Sequence, residues 1–287
     1  MNYSALIQNR RSVREFTNKQ VLLADLNRIQ DFYKHSVHRL VPQIRTQLAI
    51  FGPDAGPALE GAAGYNRFLV GAPQYLVLQS EQHPLAHING GYIMEDLILK
   101  LGEMGLDSCW VTFVSSDAVK DSLTLNPDME VVAIAAFGYG KKTTKRLRLN
   151  IMSMSNVDLV AQHRYMDPKR SVYDMAFLNT WGNTDQLDSL MGFFDDMLWE
   201  ALYAASLSPS YLNRQAYGFL IREGKIYLEE RPDPYNNKID GDLSLGIVLL
   251  HFSAVTENWS GSRKWEFGSE ERLDLPQGHR IIAVSDL

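Results

Sequence analysis

Apolar positions recur at helical spacing in several stretches of the chain. Leu22–Leu40 places Leu22, Leu26, Ile29, Phe32 and Tyr33 on one side with alternating charges opposite, which predicts an amphipathic helix. Asn89 to about Met104 does the same with Ile93, Leu97, Ile98 and Leu101, and Gly105 supplies a C-terminal stop. Leu187–Ser206 predicts a long helix carrying Leu190, Phe194, Leu198, Leu202 and Ala205, ended by Ser208-Pro209-Ser210, and Leu243–Val255 predicts another. Ser4–Asn9 reads as a short helix capped by Ser4. Between these lie short apolar runs of strand length: Tyr75–Leu78, Val131–Phe137 and Arg280–Val284. Gly218–Arg222 and Lys225–Glu229 flank Glu223-Gly224 and predict a hairpin. Residues 52–64 read as a Gly-, Pro- and Ala-rich loop, Gly105–Thr112 as a turn into an extended segment, and Asp167–Asp185 as a polar linker. Helices and a few strands occur in both halves, an α+β pattern without a short repeat.

At 287 residues, with 45% apolar and 22% charged residues, the chain can bury a sizeable core. The net charge of −6 argues against a nucleic-acid partner. The longest clean apolar runs, Val131–Phe137 and Leu245–Leu250, fall far short of the roughly 20 residues of a membrane span. The N-terminal stretch has no apolar core of a secretion signal, so a cytoplasmic location is expected. A single cysteine, Cys109, excludes an internal disulfide and a cysteine-rich metal site. The charge is uneven: residues 1–150 carry 16 basic and 14 acidic groups, and residues 151–287 carry 12 and 20. A near-neutral first half with clustered cations could hold a small anion.

Four local signals could carry chemistry. Arg10-Arg11-Ser12-Val13-Arg14 concentrates three guanidiniums and a hydroxyl, groups that bond phosphate oxygens bidentately, although a solvated basic turn has the same composition. Lys141, Lys142, Lys145, Arg146 and Arg148 form a second basic run after a buried strand. Ser208–Gln215, SPSYLNRQ, offers hydroxyl and amide groups between a helix and a strand, and Gly105–Thr112 leads a turn into a strand. Cys109 reads as a small buried hydrophobe. His35 and His38 are expected to be solvated, and His251 to be a satisfied core histidine. His83 and His87 flank Pro84 and do not form a zinc helix. Dinucleotide, P-loop and hydrolase fingerprints are absent from the sequence.

Taken in order, Arg10–Arg14, Gly105–Trp110, Gly138–Arg148 and Pro209–Gln215 resemble the motifs of the FMN-dependent nitroreductase family. The family places its PSxxNxQ loop a few tens of residues after RRSxR. Here Leu40–Arg45 occupies that place without the motif, and PSYLNRQ appears about 200 residues downstream. The chain therefore resembles the branch in which two nitroreductase-like halves are fused, residues 1–165 and 166–287, each with a mainly antiparallel sheet flanked by helices and packed as an intramolecular pseudo-dimer.

The resemblance implies that Arg10, Arg11, Ser12 and Arg14 hold the phosphate, ribityl chain and pyrimidine edge of FMN, and that Arg146 and Arg148 neutralise the phosphate. Pro209, Ser210 and Asn213 would contact the flavin, with Gln215 supporting their loop and the Thr112 backbone N–H facing N5. No catalytic side chain is required, because the flavin carries the hydride chemistry. The implied activity is transfer from NAD(P)H to a nitroaromatic, quinone or similar acceptor. A flavin-sequestering protein is the alternative, because Phe113 and Tyr217 would crowd the ring. A fold that has lost its cofactor is a third possibility. A monomer would suffice, without a metal, nucleic-acid or membrane partner.

Overall fold

The computed structural model describes residues 1–64, 69–141, 146–153, 156–162, 168–185, 187, 196–268 and 273–287, leaving aside the side chains of 146–153, 156–162 and 258–260. In the first half, α1 (Tyr3–Asn9), α2 (Leu23–His35), α3 (Ala55–Ala58), α4 (Ala86–Glu103) and α5 (Ser116–Ser122) surround a four-stranded sheet. Its strands are β1 (Thr46–Phe51), β2 (Gln74–Ser80), β3 (Asp107–Val111) and β4 (Glu130–Gly138). They run β1-β2-β4-β3, antiparallel throughout. β2 and β4 are covered on both faces, which is why their sequences read as continuous apolar runs. On one face Leu76, Leu78 and Val132 pack with Ile29 of α2 and Leu97 of α4. On the other, Tyr75, Val77 and Ile134 pack with Leu59 and Val119.

β5 (Arg146–Ser153) and β6 (Asn156–Gln162) form a separate hairpin, so the basic run after β4 continues into a strand rather than a tail. The second sheet contains β7 (Ala176–Leu178), β8 (Tyr217–Arg222), β9 (Lys225–Glu230), β10 (Glu266–Phe267) and β11 (Arg280–Asp286). Its order is β10-β11-β9-β8-β7, antiparallel except where β7 joins β8 in parallel. The β8–β9 hairpin turns at Glu223 and Gly224, both at positive φ (52° and 73°), the geometry of a tight two-residue hairpin.

The path β8-β9-β11-β10 repeats β1-β2-β4-β3, with α7 (Lys238–Ser260) inserted after β9 as α4 is inserted after β2. The two halves are thus built alike, and α4 packs against α7 between them. A Cβ on Gly91 of α4 would lie 2.3 Å from the Leu243 carbonyl oxygen, and one on Gly246 of α7 would lie 1.9 Å from that of Ile88. These reciprocal contacts put backbone against backbone, and only glycine fits them. α7 begins at an Asn237 cap, whose side chain accepts from the Asp240 N–H at 2.8 Å. Its Lys238–Glu257 stretch has the length and hydropathy of a membrane span, yet 94% of the window is buried in the fold. It is apolar all round because protein surrounds it.

Several boundaries depart from the pattern-based expectation. α2 stops at His35 rather than Leu40, because Ser36 N–H and Val37 N–H both turn back to the Phe32 carbonyl and His38 N–H donates to Asp96. β1 and β7 were not anticipated, and β7 lies inside the expected polar linker. α6 (Asp196–Ser206) covers the C-terminal part of the expected Leu187–Ser206 helix, and residues 188–195 lie outside the described residues.

Candidate functional site

α1 and α6 lie side by side, joined where Ser4 Oγ donates to Glu200 Oε1 at 2.5 Å. The Arg10–Arg14 run leaves the end of α1, and the Ser208–Gln215 loop leaves the end of α6. After Arg10 the chain extends along the first sheet. Val13 N–H donates to the Ser108 carbonyl at 2.8 Å, Thr17 N–H to that of Tyr139 at 2.8 Å, and Lys141 N–H to that of Glu15 at 2.9 Å. The basic run, the Gly105–Trp110 turn and the end of β4 are thereby knitted into one surface. Arg11 and Arg14 are exposed and have no ion pair among the described residues. Ser12 bridges to Ser108. Thr112 follows β3, its carbonyl accepting from Gly64 N–H at 2.7 Å, while Phe113 pairs with Ala63.

The loop from the second half is unusually constrained. Leu212, Asn213 and Gln215 all have positive φ (48°, 57° and 46°), a conformation costly for residues with a Cβ and concentrated at functional sites. Gln215 holds this shape from inside. Its Nε2 donates to the Ser206 carbonyl at 2.7 Å, its Oε1 accepts from Arg170 N–H at 2.8 Å, and its N–H donates to Ser210 Oγ at 2.9 Å. Asn213 is also engaged: Oδ1 accepts from Lys169 Nζ at 2.5 Å, and Nδ2 donates to the Pro168 carbonyl at 2.7 Å. Lys169 Nζ also donates to the Ser208 carbonyl at 3.0 Å. Pro209 and Ser210 are half-buried at the start of the loop.

Lys169 and Arg170 escaped the sequence reading because they sit in a polar linker. Their signal was the basic pair itself, just before the Ser171–Asp174 turn. Arg146 and Arg148 lie on β5, and their side chains are outside the described residues.

Between Arg10, at the end of α1, and Ala204, near the end of α6, lies a buried group that the sequence reading does not single out. Glu95 of α4 is fully buried, and its Oε2 accepts from Trp110 Nε1 at 2.7 Å. Oε1 faces His251 Nε2 of α7 at 2.9 Å and Arg10 Nε at 3.5 Å. His251 Nδ1 lies 3.1 Å from the Ala204 carbonyl of α6. Burial pushes the Glu95 carboxyl up, but the His251 hydrogen bond, the Arg10 charge and Trp110 more than offset it, leaving it below the usual carboxylate range. The sequence signal was two consecutive acids, Glu95-Asp96, inside an otherwise apolar helix.

Asp96 serves a second cluster. It accepts from Tyr3 Oη at 2.8 Å and lies 2.9 Å from His38 Nδ1, whose Nε2 is 2.9 Å from Glu257 Oε2. His38 is therefore held between two carboxylates rather than solvated. The hydrogen bond to Asp96 raises its pKa to about 9 against the opposing effect of burial. Cys109 is buried, and burial pushes its thiol up, partly countered by Arg14 and Arg10. Tyr217 is 1% exposed and packs in the core with residues of α7, and its hydroxyl lies 3.4 Å from Gln215 Nε2.

Residues 2–178 match the family described as "Putative TM nitroreductase". The chain belongs to this nitroreductase family. A structure from Thermotoga maritima MSB8, described as a "putative nitroreductase", is similar over 100% of this chain and 94% of that one, with 18% identity and a TM-score of 0.58. It shows the same fold over the whole length. A structure named as an FMN-dependent nitroreductase from Clostridium difficile R20291 covers 48% of this chain and 87% of its own, with 17% identity and a TM-score of 0.42. One from Clostridium novyi NT covers 50% and 87%, with 17% identity and a TM-score of 0.43. No curated protein matches the sequence. In this nitroreductase-family chain, Arg10 from one half and His251 from the other flank the buried Glu95.

Proposed function

We propose that this protein binds FMN between its halves and works as an oxidoreductase, passing hydride from NAD(P)H to a small acceptor such as a nitroaromatic or a quinone. The observation that carries this reading is the convergence of the Arg10–Arg14 run and the Ser208–Gln215 loop at the ends of adjacent helices. The residues suit a phosphorylated flavin: Arg11 and Arg14 are exposed cations without ion pairs among the described residues, and Arg10 Nε is buried without a hydrogen bond. When bound, the flavin supplies the hydride acceptor and donor.

The chain's own residues bind and orient. Arg10, Arg11, Ser12 and Arg14 would take the phosphate, ribityl chain and pyrimidine edge, since guanidiniums pair bidentately with such oxygens. Cationic groups there would also favour the negative charge gained on reduction. Thr112 would present its N–H to the ring, and Arg146 and Arg148 would add charge at the phosphate. From the second half, Pro209 and Ser210 would shape the ring's surroundings. With the Asn213 side chain tied to Lys169, that loop and the Lys169-Arg170 pair would act as one unit. A division near residue 165 would assign β7 to the second half. A monomer then holds one complete site, because RRSVR and PSYLNRQ occur once each.

The test is flavin titration of the purified chain, with absorbance recorded before and after NADH or NADPH. One FMN per chain, bleached by the nicotinamide, is expected. A chain that takes up no FMN, or two equivalents, would sink the reading. Uptake without bleaching would favour a sequestering protein.

A further inference from the structure

The Glu95 cluster does more than fill the core. His251 Nδ1 faces a carbonyl oxygen, which can only accept, so that nitrogen carries a hydrogen. Nε2 then faces Glu95 Oε1 at 2.9 Å, a separation that requires a proton between two atoms otherwise both bearing lone pairs. Whichever atom holds it, the pair is neutral as a whole. With Arg10 added, the cluster carries one net positive charge. Arg10 is nearly buried, its Nε has no hydrogen bond, and its terminal nitrogens have no hydrogen-bond partner among the described residues. The guanidinium is held by charge at its inner edge and left open at its outer one.

We propose that Glu95 and His251 are positioning residues for the flavin, Glu95 anchoring Arg10 by its ion pair and His251 setting the net charge at the back of the site. This rests on FMN binding as proposed above, and extends it to two side chains that do not touch the cofactor. It also couples the halves, since Arg10, Trp110 and Glu95 belong to the first and His251 and Ala204 to the second.

The two residues have separable effects. Glu95→Gln leaves the net charge unchanged, because the neutral amide can donate to an unprotonated His251 nitrogen, but it removes the Arg10 anchor. It should weaken FMN about tenfold, equally in the oxidised and reduced states. On an Arg10→Ala background it should add little, because the residue it positions is gone. His251→Gln keeps a hydrogen bond to Glu95 and removes the extra positive charge. It should lower the preference for reduced over oxidised FMN about tenfold, a fall of about 30 mV in the two-electron midpoint potential.

The experiment is FMN titration and potentiometry on wild type, Arg10→Ala, Glu95→Gln, the double variant and His251→Gln, with folding checked by circular dichroism. Wild-type affinity and potential in both single variants would overturn the proposal, as would additive losses in the double variant. If Glu95→Gln fails to fold, the potential of His251→Gln decides alone. Absence of FMN uptake by the wild type would instead overturn the function, and the proposal with it.

Discussion

Between α2 and β1 the first half runs through Leu40–Arg45, and between α6 and β8 the second half runs through Leu207–Ala216. The first segment is quiet. Val41 N–H donates to Asn89 Oδ1 at 3.0 Å, and its guanidinium, Arg45, is taken by Glu81 at 2.7 Å. The second is bent through three left-handed residues and bound to Lys169. The helices differ in the same sense. Counting from the reciprocal pair Gly91 and Gly246, the position of Glu95 in α4 falls on Leu250 in α7. The internal repeat preserves the scaffold, whereas charge and strained backbone accumulate on one side. A duplicated fold can keep its packing symmetry while only one of its two equivalent places remains chemically equipped.

The scaffold symmetry can be broken most severely at the helix crossing. Gly246→Leu should cost on the order of 3 kcal/mol or more, because the opposing Ile88 carbonyl is backbone and cannot step aside. Gly91→Leu should behave alike, whereas Gly90→Ala meets a Val132 methyl and should cost less. Urea midpoints check this, and a tolerant Gly246 would refute the close crossing.

The next effect concerns His38. Its pKa is raised from 6.5 to about 9, so its stabilising contribution is complete below pH 6.5 and lost as pH rises through 9. Stability measured from pH 6 to 10 should fall by on the order of 2–3 kcal/mol more in wild type than in His38→Gln. Parallel curves would show that the two carboxylates do not hold a charged imidazole.

The chemical asymmetry is tested by pairing the loops. Asn213→Ala or Lys169→Ala should weaken FMN about tenfold, roughly 1.4 kcal/mol, whereas Arg45→Ala should leave affinity unchanged. Equal losses would erase the distinction between the two segments. Smallest of all, Arg280→Ala removes an exposed pair with Glu230, and should change stability by less than about 1 kcal/mol without affecting FMN affinity. An affinity loss matching that of Arg14→Ala would mean that the first cluster has no special place.

Much of this was legible along the chain because it is local. α4, the β8–β9 hairpin and the apolar strands β2 and β4 announce themselves through periodicity and turn residues. β7 does not, since three residues become a strand only when β8, some 40 residues later, lies beside them. Lys169 looks like any linker lysine until Asn213 folds against it. His38 is read as solvated because the carboxylates that hold it come from α4 and α7, far along the sequence. Glu95 was legible in principle, as an acid where burial forbids an unpaired one, but its partners were not.

The α4–α7 crossing joins residues 155 positions apart, Gly91 and Gly246. A ribosome adding roughly 5–20 residues per second needs on the order of ten to thirty seconds to cover that gap. Throughout that interval the nascent first half has no partner for the α4 surface formed by Ile88, Tyr92 and Leu99, which α7 will cover. Synthesis rate and chaperone supply should therefore limit the yield of this protein more than they limit a chain of equal length whose helices pack against near neighbours.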